Sequence, residues 1–416
     1  MKLSDIKTKW EEFLVLKDHR TLDVIFATLI ANRLIDLDPV WTIIVAQSSG
    51  GKSTLIAPVT DIPSCFAVDD MTEKTLLSGY KVGGKDNSLL RVIGNGMMIF
   101  SDFTSILSKK KESRGEILSQ MKLVYDRKVT KYTGTGKSNW DGKIGVLAAA
   151  TPDIYYHLEE GRSMGERFIY YWMDVPTDDE ISRKQSTTTI SAKEMTDIMK
   201  GYYREYFDGV KAWIDKNGVP TLKMTEAQRE RLRQASMFCV SGKATVHTNF
   251  KSGKVDQIPH KASVGRDYKS FEAILLGLQV MNCYEHNDPT LGVQDWMIEI
   301  LEKCGYSSIN RERRAILEIL AYSDKPLSAS QIGASRGLGL EREGVMVYTN
   351  PLFAVGLIKR QVESKNNFKW FIEDEWTIEF IKRVSGSVPQ IKLKEDEPIP
   401  EALIADEAAD EEFKEF

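Results

Sequence analysis

Cysteine and histidine are scarce in this chain of 416 residues, with four Cys and five His in all. The cysteines (Cys65, Cys239, Cys283 and Cys304) are scattered and form no C-x-x-C pair. That excludes a disulfide framework or a zinc ribbon and points to a reducing compartment, the cytoplasm. Long apolar runs are also missing: none reaches the roughly 20 residues that a membrane-spanning helix needs. The N-terminal segment is amphipathic and charged, unlike a signal peptide. A soluble cytoplasmic protein is therefore expected. The composition is otherwise ordinary for a globular chain, at 42% hydrophobic and 28% charged residues, and the length suggests about two or three domains.

The formal net charge of -4 conceals an asymmetry. Residues 395–416 carry ten acids and one Lys, a local charge of -9, which leaves about +5 on the remaining 394 residues. A mildly basic body with an acidic tail admits nucleic acid as a partner without demanding it.

Periodicity organises the rest. Residues 3–36 read as two helices, the second (Thr21–Ile35) strongly apolar, and Val40–Val45 is a β-branched run of the kind found in buried parallel strands. A helix is expected from Lys52, strands at Arg91–Ile93 and Gly96–Phe100, a helix over Glu112–Tyr125, and strands at Lys143–Ala150 and Phe168–Met173. This alternation predicts an α/β fold with a parallel sheet covered on both faces. Residues 177–306 read as predominantly helical, with a short hairpin inside 246–258. From Asn310, three helices precede two strands (Leu357–Glu363 and Phe368–Ile372), the order of a winged helix. Beyond Ser385 the Pro- and Glu-rich tail is expected to be disordered.

The chemistry concentrates at Ala46-Gln-Ser-Ser-Gly-Gly-Lys-Ser-Thr54, between strand and helix. Backbone amides of such a loop point inward at phosphate. Gly50 and Gly51 allow the turn, Lys52 reaches the β- and γ-phosphates of ATP, and Ser53, followed by Thr54, offers a hydroxyl to Mg²⁺. The usual first glycine of the motif is Ala46 here. A phosphate site of this kind needs a carboxylate at a neighbouring strand end, and Met97–Phe100 followed by Ser101 and Asp102 supplies one. Either Asp102 holds the metal through water, or Ser101 does so while Asp102 orients the attacking water. The plainer alternative is that Asp102 caps the next helix.

Three further motifs carry a family resemblance: Val146-Leu-Ala-Ala-Ala-Thr151-Pro152, Gly165-Glu-Arg167-Phe168, and the pair Ser101–Leu107 and Gln120–Asp126. Over residues 20–175 the chain resembles the AAA+ ATPases of phages and integrative elements. More distantly it is similar to the minichromosome-maintenance helicases, with Thr151 where those have a sensor Asn. The resemblance implies an AAA+ P-loop ATPase core (1–176), a helical lid (177–306), a winged helix (307–385) and an acidic tail (386–416). It implies a ring, usually hexameric, with Thr151 as γ-phosphate sensor and Arg167 acting in trans on a neighbour's nucleotide. Arg162 is the fallback finger and Arg266 a second-sensor candidate, while pairing of Arg167 with Glu166 or Asp174 is the plainer alternative.

The segment 127–143 reads as a β-hairpin placed where those helicases grip DNA. Lys131 and Lys137 are its phosphate-binding candidates, with Tyr132 or Trp140 available for packing or base stacking. Around the winged helix, Arg342, Lys359, Arg360, Lys365 and Lys369 suit non-specific phosphate contacts. The tail ends Asp410–Phe416, acids with two Phe, similar to the tips of single-strand-binding proteins that dock on replication partners. The expectation is a DNA-dependent ATPase, a replicative helicase or translocase, with an AAA+ initiator or helicase loader as the alternative.

Overall fold

The structure, a computed structural model, describes residues 1–385 apart from 73, 78–80, 83–84, 87, 134–135, 161–166, 245, 247–254, 258, 260, 262, 336–337 and 365–366. The acidic tail, Arg162, Glu166, Lys365 and most of the expected 246–258 hairpin thus lie outside the described residues.

Helices α1 (Leu3–Phe13) and α2 (Arg20–Arg33) lead into strand β1 (Trp41–Val45) and α3 (Lys52–Ile56), which tightens at Pro58 into a 3₁₀ turn over Ala57–Asp61. There follow β2 (Cys65–Ala67), a ribbon of β3 (Lys81–Val82) and β4 (Lys85–Asp86), α4 (Leu89–Ile93), β5 (Met97–Phe100), α5 (Thr104–Leu107) and α6 (Lys111–Tyr125). The hairpin β6 (Lys128–Thr133) and β7 (Gly136–Asp141) precedes β8 (Gly145–Ala150), α7 (Ile154–Glu160) and β9 (Phe168–Trp172).

Five strands form one parallel sheet in the order β2-β5-β8-β1-β9. Every residue of β1, β5 and β8 is buried, as a sheet covered on both faces requires. Along β1 the side chains alternate. Trp41, Ile43 and Val45 enter a core shared with α4, α5 and α6, whereas Ile44 enters the core shared with α2. The chain is α/β, as the alternation predicts. One expectation fails: Arg91–Ile93 lies in helix α4, not in a strand. Leu90 and Ile93 are buried while Arg91 and Val92 between them are exposed, a spacing of three that only a helix puts on one face, and Gly94 at φ +60° ends it.

Five helices follow: α8 (Asp178–Thr187), α9 (Ala192–Asn217), α10 (Glu226–Lys243), α11 (Val264–His286) and α12 (Asp295–Tyr306). Helices α8, α9 and α10 each start on a reciprocal capping box, Thr177/Glu180, Ser191/Glu194 and Thr225/Gln228. Helix α2 is buried from Thr21 to Asn32 because the sheet covers one side and α11 the other. The helices touch so closely that a Cβ on Gly277 would lie 2.6 Å from the Ala27 carbonyl oxygen. Two buried polar side chains of α2 bond across to β1 and the residue before it: Thr28 and Thr42 hydroxyls meet at 2.9 Å, and Asn32 bonds the Val40 amide and carbonyl. Lys143 donates to the Ala31 and Ile35 carbonyls at the C-terminal end of α2, and burial lowers its pKa to about 8.

The C-terminal part comprises α13 (Arg311–Ala321), β10 (Leu327–Ser328), α14 (Ala329–Ala334), α15 (Arg342–Ala354), β11 (Lys359–Ser364), β12 (Asn367–Phe371) and α16 (Glu375–Ser385). Its strands form an antiparallel sheet in the order β10-β12-β11. Glu302 of α12, 1% exposed, ties this part to the rest by accepting from Arg231 at 2.7 Å and Arg383 at 2.9 Å. Among the described residues, no helix is long and apolar enough to cross a membrane.

Two glycine substitutions separate close packing from helix propensity. Gly277→Ala should cost about 1–3 kcal/mol by overpacking α11 on α2. Gly201→Ala, in α9 with open space around it, should gain about 0.5–1 kcal/mol. Urea denaturation midpoints test both.

Candidate functional site

At the C-terminal end of β1 the chain turns through Ser49 (φ +63°) and Gly51 (φ +82°) into α3. Gly50 donates to the Gln47 carbonyl at 3.2 Å, and a Cβ there would meet Val175 Cγ1 at 2.6 Å, so the cradle has no room for a side chain. Ala46 is buried and its amide still bonds the Ala150 carbonyl at 3.2 Å, continuing the sheet. It is not among the positive-φ residues, which is why alanine serves where glycine is usual.

Lys52 is buried at the start of α3 and folds back on the loop, donating from Nζ to the Gln47 carbonyl at 3.1 Å. Burial lowers its pKa and the Asp102 charge pulls the other way. Ser53 Oγ donates to the Ser101 carbonyl at 2.7 Å, which brings the loop against the tip of β5. Asp102 accepts the Thr104 amide at 2.9 Å, so it does cap α5 while its charge faces Lys52. Thr151, at the tip of β8, donates its amide to Thr104 Oγ1 at 3.0 Å, and the two hydroxyls lie 3.3 Å apart. Lys52, Ser53, Ser101, Asp102 and Thr151 are therefore one cluster; Thr54, in the first turn of α3, is half-buried beside it.

The donor set fits a phosphate with a hard cation. Backbone amides, an ammonium and two glycines face the anion, and the ligands for a metal are oxygens alone, as Mg²⁺ prefers. Among the described residues, no group of three or more His, Cys, Asp or Glu could hold a metal ion. Mg²⁺ here would rest on the Ser53 hydroxyl, a carboxylate and the oxygens of the nucleotide itself. No protein-family model matches the chain, and no curated protein matches it significantly in sequence.

Arg167 is not part of this cluster. Phe168 pairs with Trp41 and Trp172 with Val45 along parallel β1 and β9, so Arg167 lies at the opposite end of the sheet. About 17 Å of strand separates it from the loop at 3.3 Å per residue. Its side chain, 10% exposed, pairs with Asp126 at 3.2 Å and sits over the Tyr125 ring. The alternative partner Asp174 is held instead by Lys303 at 2.7 Å. Arg266 lies within α11 rather than ahead of it, and its charge acts on the Tyr125 phenol.

The hairpin forms in the register Val129↔Trp140, Lys131↔Ser138 and Tyr132↔Lys137. Of packing and stacking, Trp140 does the first: it is 4% exposed and lies in the core on one face of the sheet. Lys131 and Lys137 fall on opposite faces of the ribbon, because side chains alternate. Lys131 lines a cleft of about 500 Å³ against α6 with Glu112 and Glu116, while Lys137 lies 5.9 Å over the ring of Tyr132, which is 76% exposed. Around β11 and β12, Lys359 pairs with Glu373 at 3.5 Å, Lys369 pairs with Glu363, and Arg360 is sandwiched between Phe353 and Phe368. Arg342 opens α15.

Sequence reasoning missed Thr104, which links Asp102 to Thr151, Asp126, which holds Arg167, and Asp69, hydrogen-bonded by Ser101. The signal for Asp69 was available: Cys65–Val68 is a short apolar run ending in acids, as Met97–Phe100 is.

Binding of MgATP to this cradle would stabilise the fold by mass action, about 2.7 kcal/mol at a hundredfold excess over Kd. The wild-type melting temperature is expected to rise with MgATP, and Lys52→Ala to abolish the rise without lowering the ligand-free value.

Proposed function

We propose that this chain is an AAA+ P-loop ATPase that assembles into a ring, commonly hexameric, and works on DNA as a helicase or translocase of the kind carried by phages and mobile elements. The observation that supports it best is the division of polar residues between the two ends of the sheet. Lys52, Ser53, Asp102 and Thr151 gather where β1, β5 and β8 end. Arg167 and the root of the hairpin sit at the other end. In a ring, an arginine that does not reach its own loop would serve a neighbour's nucleotide.

In this reading Lys52 and the loop amides hold the phosphates of ATP. Ser53 would hold Mg²⁺, which when bound would supply positive charge to offset that of the phosphates during γ-phosphoryl transfer to water. Asp102 orients that water and accepts its proton, and Thr151 hydrogen-bonds the γ-phosphate. Thr104 ties the two together, so loss of the phosphate is felt at both strand tips. In the neighbouring subunit Arg167 leaves Asp126 to meet developing charge on the phosphate. Asp126 directly precedes the hairpin, whose root carries Arg127 at φ +66°. Tyr132 and Lys137 at the exposed face of the ribbon supply a stacking surface and a cation for single-stranded DNA. Helices α8–α12 serve as the lid, and α13–α16 with β10–β12 as a winged helix.

A second reading, an initiator or helicase loader in which ATP is an assembly switch, is favoured by one observation. Lys359, Lys369 and Arg360 are each occupied within the C-terminal part, which suits protein docking better than DNA binding.

Strand displacement of a forked duplex, measured with and without ATP alongside the mass of the assembly, separates the readings. The motor reading expects ATP-dependent displacement by an oligomer, with Tyr132→Ala and Lys137→Ala each reducing it while ATP binding persists. Arg167→Ala should lower turnover about 10³-fold with nucleotide affinity kept. ATP-dependent assembly without strand displacement would favour the loader, and a monomer that turns over ATP normally would contradict the trans-acting arginine.

A further inference from the structure

The tip of β5 offers a single carboxylate, Asp102, and one of its oxygens is already engaged by the Thr104 amide. Ser101 occupies the position before it, and Ser101 is where the loop and the sheet meet: its carbonyl accepts from Ser53 Oγ at 2.7 Å. Its hydroxyl points the other way, donating to Asp69 Oδ1 at 3.3 Å. The register explains the meeting. β2 and β5 run parallel with Ala67 opposite Ile99, so two residues further on Asp69 stands beside Ser101 at the same end of the sheet.

The adjacent acid is used differently. Asp70 is held by Lys109 at 2.6 Å and accepts the Met71 amide at 2.8 Å, which fixes the turn after β2. Asp69 and Asp70 are thus divided, one tied into the fold and one turned toward the strand that faces the phosphate loop.

We infer that Asp69 is the second carboxylate of the site, a positioning residue in the loop after β2 that works with Ser101 to hold the water shell of the Mg²⁺ accompanying ATP. The inference rests on the ATPase reading above and deepens it. Mg²⁺ keeps several waters and is usually anchored by one or two carboxylates together with substrate phosphates. Ser53 supplies the direct hydroxyl, and Asp69 beside Ser101 supplies the outer negative charge, which leaves Asp102 to the attacking water. Because Asp69 follows β2 and Asp102 follows β5, the acid pair that other ATPases build from consecutive residues is here assembled from the ends of two neighbouring strands.

The test is Mg²⁺ titration of the binding of a fluorescent ATP analogue to the full chain. Asp69→Asn is expected to need about tenfold more Mg²⁺ for half-maximal effect, the lower end of what loss of an outer-shell ligand costs. Its affinity for the metal-free nucleotide should be equal or tighter, since a negative charge facing phosphate has been removed. Asp70→Asn should titrate as wild type does. An Asp69→Asn curve that overlays the wild-type curve overturns the inference and leaves the ATPase reading standing. If the wild type binds the analogue neither with Mg²⁺ nor without it, the ATPase reading itself falls and takes the inference with it.

Discussion

Strand β8 lies buried between β1 and β5 and hydrogen-bonds to both in parallel. This one insertion keeps the strand that delivers Lys52 apart from the strand that delivers Asp102, by about 10 Å at ordinary strand spacing. The tip of β8 sets Thr151 between them, against Thr104. The sequence of β8 suits the position. Gly145 passes so near Asn32 that a Cβ would come within 2.3 Å of its Cγ, and Ala148–Ala150 leave space for helices on both faces. Were β1 and β5 neighbours, Thr104 could not join Asp102 to Thr151, and the site would lose the bond that makes its two acceptor strands respond together.

The opposite end of the sheet is organised by α11. It packs on α2 at Gly277 and places Asp267 against Lys243 of α10 at 2.5 Å, both almost fully buried. Burial works against the Lys243 charge, but the Asp267 carboxylate outweighs it and its pKa ends above the ordinary value. Such a pair fixes geometry more than it adds stability. The same helix bears on Tyr125 through Ser270 and Arg266, and Tyr125 carries Arg167 on its ring. Helix α11, Arg167 and the hairpin root therefore meet within a few residues.

The parallel strands and the strand–turn–helix at Ala46–Thr54 were legible because buried strands read as continuous apolar runs and Gly50-Gly51 marks a tight turn. The hairpin was legible from its alternation and its Gly-Thr-Gly turn. Short elements were not: α4 holds five residues, and β-branched Val92 and Ile93 read as strand until burial shows Leu90 and Ile93 on one face. The missed site residues share a different cause. Asp69 and Asp126 matter through pairings made across the sheet and across 41 residues of chain, and no local pattern encodes such a partner. For Trp140 the sequence left packing and stacking open, and its register with buried Val129 decides for packing.

In the proposed ring each nucleotide site is shared between two subunits, and a mixture of two inactive variants reports on that sharing. Lys52→Ala and Arg167→Ala proteins should each be nearly inactive in ATP turnover alone. Combined in equal amounts, they rebuild intact interfaces wherever the loop of an Arg167→Ala subunit meets the arginine of a Lys52→Ala subunit, about a quarter of all contacts in a randomly mixed cyclic ring. The account predicts turnover recovering to about that fraction of wild type. A mixture no more active than its components, under conditions where mass measurement shows mixed rings, would contradict it.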